Sequence, residues 1–581
     1  MSALELKKSC DKRFFALKLG ISILSLIAVA KLFSIQILLH SNYSARAYDQ
    51  YSNYLTINAK RGEILASDGY PLASNQVSYL LYAEPKKIKD KQKLIESVIS
   101  IFPSEVAQKE RVRLNDLLDL NLYWVALEHN LTPSQKEEIE KMHLEGAGFE
   151  EEPVRFYPEG SMLAHVLGYV AEKDGGKKGG YYGIEAAFNG DLEGRPGKVT
   201  EERDALGLST LTGGYNKVMP VDGKSVELTI DRAVQHIIEK KLKEGVEKYD
   251  AADGVIIVSN PLDGSILGMA VFPTYDPGNR NLKNEVVSER SGRKLNEQVN
   301  LAISSLYEPG SVMKPLTLSA AIDLGKATPE TSYFDNGPVN YSGYTIDNWD
   351  GKHHGQMNLV SLLQLSNNIG AAWVGHLVGI EALSSYFRRF GIGGLSGVDL
   401  EGEETGTLRD PKEAADIDLA TMSFGQGILA SPLQVLFAFN TIADGGVLYK
   451  PQIASKITDS NGKFIKVESK EMGRVIKRET ADTMVDMLIK AVEGGESKYF
   501  NIKNYKVAGK TGTAQIAVAG GYDPKKTNAT FVGFMSESRK FSMIVKLREP
   551  QTSPYAAETA APLWMETAGE LAKYYSLPPD K

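Results

Sequence analysis

Three short motifs follow one another in this 581-residue chain and constrain its fold and chemistry more than any other feature. Ser311 and Lys314 form Ser-x-x-Lys, Ser366 and Asn368 form Ser-x-Asn, and Lys-Thr-Gly-Thr begins at Lys510. Ser-x-x-Lys alone is weak, because three other serines match it, whereas Ser-x-Asn and Lys-Thr-Gly each occur once. The ordered set predicts a nucleophilic serine with two further motifs assembled around it.

The surroundings of Ser311 predict a helix that begins at the serine. A turn containing Pro309 and Gly310 precedes it, and residues 311–324 are apolar at helical spacing. Because residues three apart share a helix face, the Lys314 amine is expected to reach the Ser311 hydroxyl. Lysine is a base only when neutral, so we expect burial and a second cation, Lys510, to lower the pKa of Lys314.

The third motif lies in a predicted strand over residues 505–516. Because Gly512 has no side chain, we expect a substrate backbone to approach the strand there. Gly-Lys-Thr at 509–511 also resembles the end of a phosphate-binding loop. That motif requires glycine five positions before Gly509, where this chain has Asn504, so nucleotide binding is not expected.

Composition excludes several other classes of protein. The net charge is −7 with mixed signs, and no nucleic-acid-binding motif is present, so we expect no nucleic-acid partner. The single cysteine, Cys10, cannot form an intrachain disulfide, and the eight histidines lack zinc-ligand spacing. We therefore expect neither a metal site nor a cofactor.

One segment, residues 14–39, is apolar and long enough to span a bilayer. Basic residues are frequent before it and sparse after it, which predicts a cytoplasmic N-terminus and an extracytoplasmic remainder. A cleaved signal peptide, with a small-x-small site at residues 45–47, is the alternative. Its apolar region would be unusually long, so an uncleaved single-pass anchor is favoured.

The rest of the chain divides into two parts. Residues 40–224 are mixed, with a hairpin signal over 64–72 and a charged helical stretch over 86–131, and they contain no complete catalytic set. From residue 225 onward, a helix to about residue 249 and five strand signals are split by a segment, residues 301–446, that is predicted to be entirely helical. The pattern predicts an α/β domain with a cleft between the edge of the sheet and the helical region. The predicted division is a tail at 1–13, an anchor at 14–39, a mixed domain at 40–224 and a catalytic domain at 225–581.

The motifs and their flanks resemble class B penicillin-binding proteins. The catalytic resemblance rests on residues 306–315, 423–427, 432–434 and 507–515. The segments similar to the family's non-catalytic pedestal are residues 61–64, 68–69, 72–73, 155–158, 165–168 and 183–185. This resemblance implies a penicillin-binding transpeptidase fold of the α/β (α+β) class, in which a five-stranded antiparallel sheet is flanked by helices. An N-terminal transmembrane helix and an elongated mixed pedestal, or dimerisation-like, domain would precede this fold. Within the pedestal, Arg61, Arg155 and Glu185 are charged residues in apolar or glycine-rich surroundings, so we expect them to form a buried ionic cluster; three unrelated surface charges are the alternative.

The resemblance also implies roles for the motif residues. Ser311 would attack the penultimate D-alanine carbonyl of a peptidoglycan stem peptide that ends in D-Ala-D-Ala, and Lys314 would take its proton. Ser366 would relay a proton to the departing amine, and Asn368 would hold Lys314 and the substrate amide. β-Lactams would acylate the same serine.

The remaining implied roles belong to the third motif. Lys510 and Thr511 would bind the terminal carboxylate, and the backbone N–H groups of Ser311 and Thr513 would form the oxyanion hole. Gly512 completes the predicted substrate-binding set.

The lead-in at residues 308–310 is more similar to the division branch of the family than to the elongation branch. A septal enzyme of the inner cell membrane would work with a SEDS-type glycan polymerase and other division proteins. Three alternatives remain open: the same chemistry in wall elongation, a β-lactam-hydrolysing enzyme, and a β-lactam sensor or division scaffold with little turnover.

Overall fold

A computed structural model describes most of the chain. The described residues are 3–44, 52–102, 104–119, 122–173, 178–202, 215–279, 286–287, 294–295, 297–518 and 521–580. The alternative cleavage site at residues 45–47 and Ser291, one of the additional Ser-x-x-Lys serines, lie outside the described residues.

The chain separates into two compact units. The first contains residues 1–59 and 195–222. In it, an α-helix, Ala3–Phe33, continues as a π-helical turn, Ser34–Leu38, and residues 11–38 are long and apolar enough to cross a membrane. The same unit has a three-stranded antiparallel sheet, whose strands are Ser52–Ile57, Gly197–Glu202 and Tyr215–Val218.

The second unit contains residues 60–194 and 223–581. The predicted hairpin forms: Ile64–Leu65 pairs with Pro71–Gln76 around a turn at Asp68 and Gly69. These two strands belong to a six-stranded sheet that mixes early and late parts of the chain. Its order is Phe464–Lys466, Ala454–Thr458, Ser225–Leu228, Ile64–Leu65, Pro71–Gln76 and Val154–Phe156. The sheet therefore contains strands from both sides of the predicted boundary between the mixed domain, residues 40–224, and the catalytic domain, residues 225–581.

The expected ionic cluster is present. Glu185 is fully buried, and its two carboxylate oxygens each accept a 2.6 Å hydrogen bond, one from Arg61 Nε and one from Arg155 Nε. Arg155 also donates to the Gly62 carbonyl at 2.8 Å. The sequence prediction of a buried cluster is confirmed, and it fixes three segments that are far apart in the chain.

The charged stretch over residues 86–131 is helical only in part. Two helices, Lys91–Ile99 and Ser104–Asp119, are followed by a strand, Val125–Leu131, which pairs with Tyr79–Ala83. A strand forms at this end because Val125, Leu127 and Leu131 occupy alternate positions and are buried, which is a period of two. Tyr79–Ala83 also pairs with Ala147–Glu151.

The catalytic part contains the predicted five-stranded sheet. Its strands are β1 (Asp253–Ser259), β2 (Ile266–Phe272), β3 (Val507–Val518), β4 (Gly521–Met535) and β5 (Ser542–Arg548). The order is β2-β1-β5-β4-β3, and every neighbouring pair is antiparallel. Helices Arg232–Tyr249 and Ala560–Tyr574 cover one face, and the helical region covers the other. The predicted fold class is confirmed, and β3 lies at the edge of the sheet.

The prediction that residues 301–446 are entirely helical is wrong. Four short strands interrupt the helices: Ser332–Asp335, Val339–Tyr341, Tyr344–Ile346 and Gly355–Asn358. Gly337, Gly343 and Gly355 adopt positive φ angles between or beside them and allow the chain to reverse direction. The helices of this region and its continuation are Leu301–Ser304, Lys314–Asp323, Leu359–Gln364, Asn368–Val378, Ile380–Arg389, Asp416–Met422, Pro432–Ala443 and Arg478–Gly494.

Candidate active site

Ser311 lies in a 3-10 turn, Gly310–Met313, and the α-helix begins three residues later at Lys314. The helical segment thus runs without a break from Gly310 to Asp323, so the predicted helix start at Ser311 is confirmed to within one residue, with a 3-10 first turn. In an α-helix the Ser311 carbonyl would accept from the N–H of residue 315, but Pro315 has no N–H. The Lys314 N–H donates to that carbonyl instead, which is a 3-10 bond and tightens the turn.

Lys314 is completely buried beside the second motif. Its Nζ donates to the Ser366 carbonyl at 2.5 Å and to Asn368 Oδ1 at 2.8 Å, and it lies 3.3 Å from Ser366 Oγ. No hydrogen bond joins it to the Ser311 hydroxyl in the part of the chain that the structure describes. Burial lowers the pKa of Lys314 well below its usual range, and the positive charge of Lys510 lowers it further.

The second motif forms a strained turn that leads into helix Asn368–Val378. Ser366 has a φ of +52°, an uncommon value for a residue other than glycine. Asn367 caps the helix, because its Oδ1 accepts from the Gly370 N–H at 2.7 Å. The Asn367 Nδ2 donates to Asp335 Oδ2 at 2.8 Å, and Asp335 is buried. The helix cap and the hydrogen bond to Asp335 therefore stabilise the strained turn.

Two residues behind this turn were not predicted from the sequence. Asp335 Oδ2 also accepts from Asn348 Nδ2 at 3.0 Å, and Asn348 Oδ1 accepts from the Asn368 N–H at 3.1 Å. The two residues come from separate short segments, and no motif or spacing in the sequence connects them to Ser366. Their role is visible only once the chain is folded.

The third motif lies on edge strand β3, as predicted. Lys510 is buried, and its Nζ donates to Thr511 Oγ1 at 3.0 Å. Thr511 Oγ1 in turn donates to Glu496 Oε2 at 2.6 Å. Burial lowers the pKa of Lys510, and the negative charge of Glu496 opposes this shift. Glu496 was not predicted from the sequence.

The structure shows a packing role for Gly512 that was not predicted. A Cβ atom at this position would lie 2.8 Å from the Pro309 carbonyl oxygen and 2.9 Å from Val312 Cγ1. The missing side chain therefore lets β3 pack against the turn that carries Ser311, and that side of the glycine does not face a substrate. Thr511 and Thr513, its neighbours on the opposite face of the strand, line the open cleft instead.

A cavity of about 840 Å³ joins the three motifs. Ser311, Ser366, Asn368, Thr511 and Thr513 line it. Aromatic side chains form part of its wall, and the Trp349 and Tyr555 rings meet edge to face with centroids 5.5 Å apart. The other lining residues are Gly310, Phe424, Gln426, Glu496, Tyr499, Phe500, Gln515, Thr527, Pro554, Ala557 and Glu558.

This arrangement suits acyl transfer through a serine. The Ser311 hydroxyl lies in a large cleft, three residues from an amine whose pKa is lowered, and the Thr511 hydroxyl in the same cleft accepts from the buried Lys510 amine. Within the described residues, no group of three or more His, Cys, Asp or Glu side chains is arranged to hold a metal ion.

Comparison with known proteins agrees with this geometry. Residues 254–566 match the penicillin-binding protein transpeptidase domain, and residues 56–228 match the penicillin-binding protein dimerisation domain. Stage V sporulation protein D of Bacillus subtilis is 30% identical over 94% of this chain and 83% of its own length. The probable peptidoglycan D,D-transpeptidase PenA of Neisseria meningitidis is 28% identical over 90% of this chain and 86% of its own.

A solved structure extends the similarity to the fold. A peptidoglycan synthetase from Bifidobacterium adolescentis superposes with a TM-score of 0.72 at 26% identity, covering 91% of this chain and 98% of that one. The matched domains together span nearly all of the chain beyond the N-terminal helix. The chain belongs to the class B penicillin-binding proteins and is a transpeptidase of that family.

Proposed function

We propose that the chain cross-links peptidoglycan by transferring the acyl group of a D-Ala-D-Ala stem peptide through Ser311. The observation that carries the proposal is the environment of Lys314. Its amine is buried, bonded to Ser366 and Asn368, and depressed in pKa by burial and by Lys510, beside a serine that opens into the cavity. Relatives named as peptidoglycan D,D-transpeptidases support the choice of substrate.

In the proposed acylation, Ser311 Oγ bonds to the carbonyl carbon of the penultimate D-alanine, and its proton passes to Lys314. The peptide bond to the terminal D-alanine breaks, and its nitrogen receives a proton through the Ser366 hydroxyl. D-Alanine leaves. An amine from a second stem peptide then attacks the ester, which forms the cross-link and returns the serine hydroxyl.

The substrate's terminal carboxylate would bind Thr511, which lines the cavity, and Lys510, whose buried amine donates to the Thr511 hydroxyl. The developing oxyanion would accept from the Ser311 and Thr513 backbone N–H groups, and a donor of this kind contributes about 3 kcal/mol in other enzymes. β-Lactams carry a carboxylate and a reactive carbonyl in a similar relation, so they would acylate Ser311 and block the enzyme.

The test is a cross-linking reaction with the full-length protein in detergent. Uncross-linked glycan strands, supplied by a separate polymerase, should yield one D-alanine for each peptide bond formed, and Ser311→Ala should yield neither product. Equal product from Ser311→Ala would overturn the proposal. Continuous turnover of penicillin, with no cross-linked peptide, would favour a β-lactam-hydrolysing enzyme instead.

We further propose that the protein is a single-pass protein of the inner membrane at the division septum. The N-terminal apolar helix would place the N-terminus in the cytoplasm and the catalytic part outside, beside a SEDS-type glycan polymerase and other division proteins. Packing between transmembrane helices would supply the polymerase contact. Replacing residues 14–39 with an unrelated transmembrane helix should preserve penicillin binding but impair septation. Full complementation of a division defect by this protein would show that the helix is only a tether.

Sporulation is a second candidate setting for the same chemistry. It is favoured by the 30% identity, over 94% of the chain, with a Bacillus subtilis protein named for stage V of sporulation. Deletion of the gene separates the two settings. Filamentous vegetative cells would support the septal role, whereas normal division with defective spores would support the second.

A further inference from the structure

Glu496 places a carboxylate in the part of the cavity where the proposed function requires an anion-binding site. It follows helix Arg478–Gly494, and its position is fixed by tight backbone packing. A Cβ at Gly495 would lie 2.2 Å from the Ala491 carbonyl oxygen and 2.8 Å from the Gln364 carbonyl oxygen. The chain before Glu496 is therefore pressed against the segment that leads to the second motif.

The Glu496 carboxylate is the end of a chain of hydrogen bonds. Lys510 Nζ donates to Thr511 Oγ1 at 3.0 Å, and Thr511 Oγ1 donates to Glu496 Oε2 at 2.6 Å. A threonine hydroxyl has a single hydrogen. While Thr511 donates to Glu496, it cannot donate to a ligand.

The charges at the site lead to the same conclusion. Lys314 must be neutral to act as a base, which leaves Lys510 as the positive charge of the pair. Glu496 attracts that charge, since it raises the pKa of Lys510 against the effect of burial. A ligand carboxylate would bring a second negative charge to the same two donors, and like charges at a shared site repel.

We propose that Glu496 is a specificity-determining residue that competes with the ligand's carboxylate for Thr511 and Lys510. The competition rests on the proposed function, because it assigns these two residues to carboxylate binding. Its consequence is that an anionic ligand binds fully only when the Glu496 side chain turns away. An uncharged ligand that reacts with the same serine meets no such competitor.

The test uses two reversible, serine-reactive boronic acids that share one acylamino group and differ by a carboxylate placed to reach Lys510. The measured quantity is the ratio of their inhibition constants for the full-length protein. Glu496→Gln should improve binding of the carboxylate compound about tenfold relative to the uncharged one, which corresponds to roughly 1.4 kcal/mol. Glu496→Ala should shift the ratio in the same direction. The test can therefore be made even if only one of the two Glu496 variants folds.

Glu493→Gln is the matched control, because it removes the same charge from an exposed position three residues earlier. It should leave the ratio within twofold of the parent. A ratio unchanged in both Glu496 variants, or an equal shift in Glu493→Gln, would overturn the inference. Failure of the proposed function looks different: neither compound would bind the parent, or both would bind Ser311→Ala as tightly as the parent.

Discussion

Asn367→Asp is the substitution that tests most sharply how the second motif is held. The middle residue of Ser-Asn-Asn has two tasks: its Oδ1 caps a helix, and its Nδ2 donates to the buried Asp335 carboxylate at 2.8 Å. Aspartate can perform the first task but not the second. It would place a second carboxylate against Asp335 in a site where both side chains are almost completely enclosed.

The cost follows from these contacts. A hydrogen bond to a charged group contributes about 1.5–3 kcal/mol, and breaking one partner of a buried charged contact costs roughly 3–5 kcal/mol. With an unfolding entropy of about 2.1 cal/mol/K per residue, the compact unit formed by residues 60–194 and 223–581 would lose roughly 3–5 °C in melting temperature if it unfolds cooperatively. We expect acylation to fall as well, because the turn positions Ser366 and Asn368 around Lys314.

Thermal unfolding and labelling with a fluorescent penicillin measure the two effects. The matched control is Asn358→Asp, which makes the same change at the N-cap of helix Leu359–Gln364, where Oδ1 accepts from the Ser361 N–H at 2.9 Å. Because aspartate can also cap a helix, this variant should keep both quantities near the parental values. The loss in Asn367→Asp should also shrink as pH falls, since a shared proton removes the repulsion. Parental melting and labelling of Asn367→Asp would refute the reasoning.

Three further substitutions test other parts of the account. Lys510→Ala should slow penicillin acylation at least tenfold. It should also move the acid limb of the pH profile to higher pH, because losing this cation raises the pKa of Lys314. Acylation within twofold of the parent would contradict the role of Lys510 in binding the carboxylate and keeping Lys314 neutral. Glu185→Ala should lower the free energy of unfolding by roughly 3–5 kcal/mol in chemical denaturation, since it leaves Arg61 and Arg155 without their carboxylate partner. Glu193→Ala, at an exposed position, should change it little. Equal denaturation midpoints for the two variants would count against a stabilising role of the cluster. Gly512→Ala should cost roughly 1–3 kcal/mol and slow acylation, because its Cβ would meet the Pro309 carbonyl at 2.8 Å; unchanged kinetics would show that the packing yields easily.

The sequence was sufficient for the central sheet and for the pedestal's ionic cluster. Strand β1, for example, is buried along its whole length, and residues 254–258 form a short apolar run of glycine and β-branched residues followed by a turn signal at 261–264, which favours a covered strand over a helix. The cluster could be predicted because Arg61, Arg155 and Glu185 stand as lone charges in apolar or glycine-rich surroundings.

Other features depend on how distant segments meet, which no local pattern records. The strands between residues 332 and 358 have three or four residues each, too few to show a period of two. Asp335 and Glu496 face the motifs only because separate segments converge on them. The packing of Gly512 against Pro309 and Val312 could not be predicted, since the sequence does not record which segments lie beside the strand.

The most direct test of the central claim is to locate the penicillin adduct on the full-length protein. After brief reaction with benzylpenicillin, proteolysis and mass spectrometry should find the penicilloyl group on Ser311, and Lys314→Ala should greatly slow its formation. An adduct on Ser366, or peptidoglycan cross-linking by a protein that never acquires an adduct on Ser311, would contradict the account.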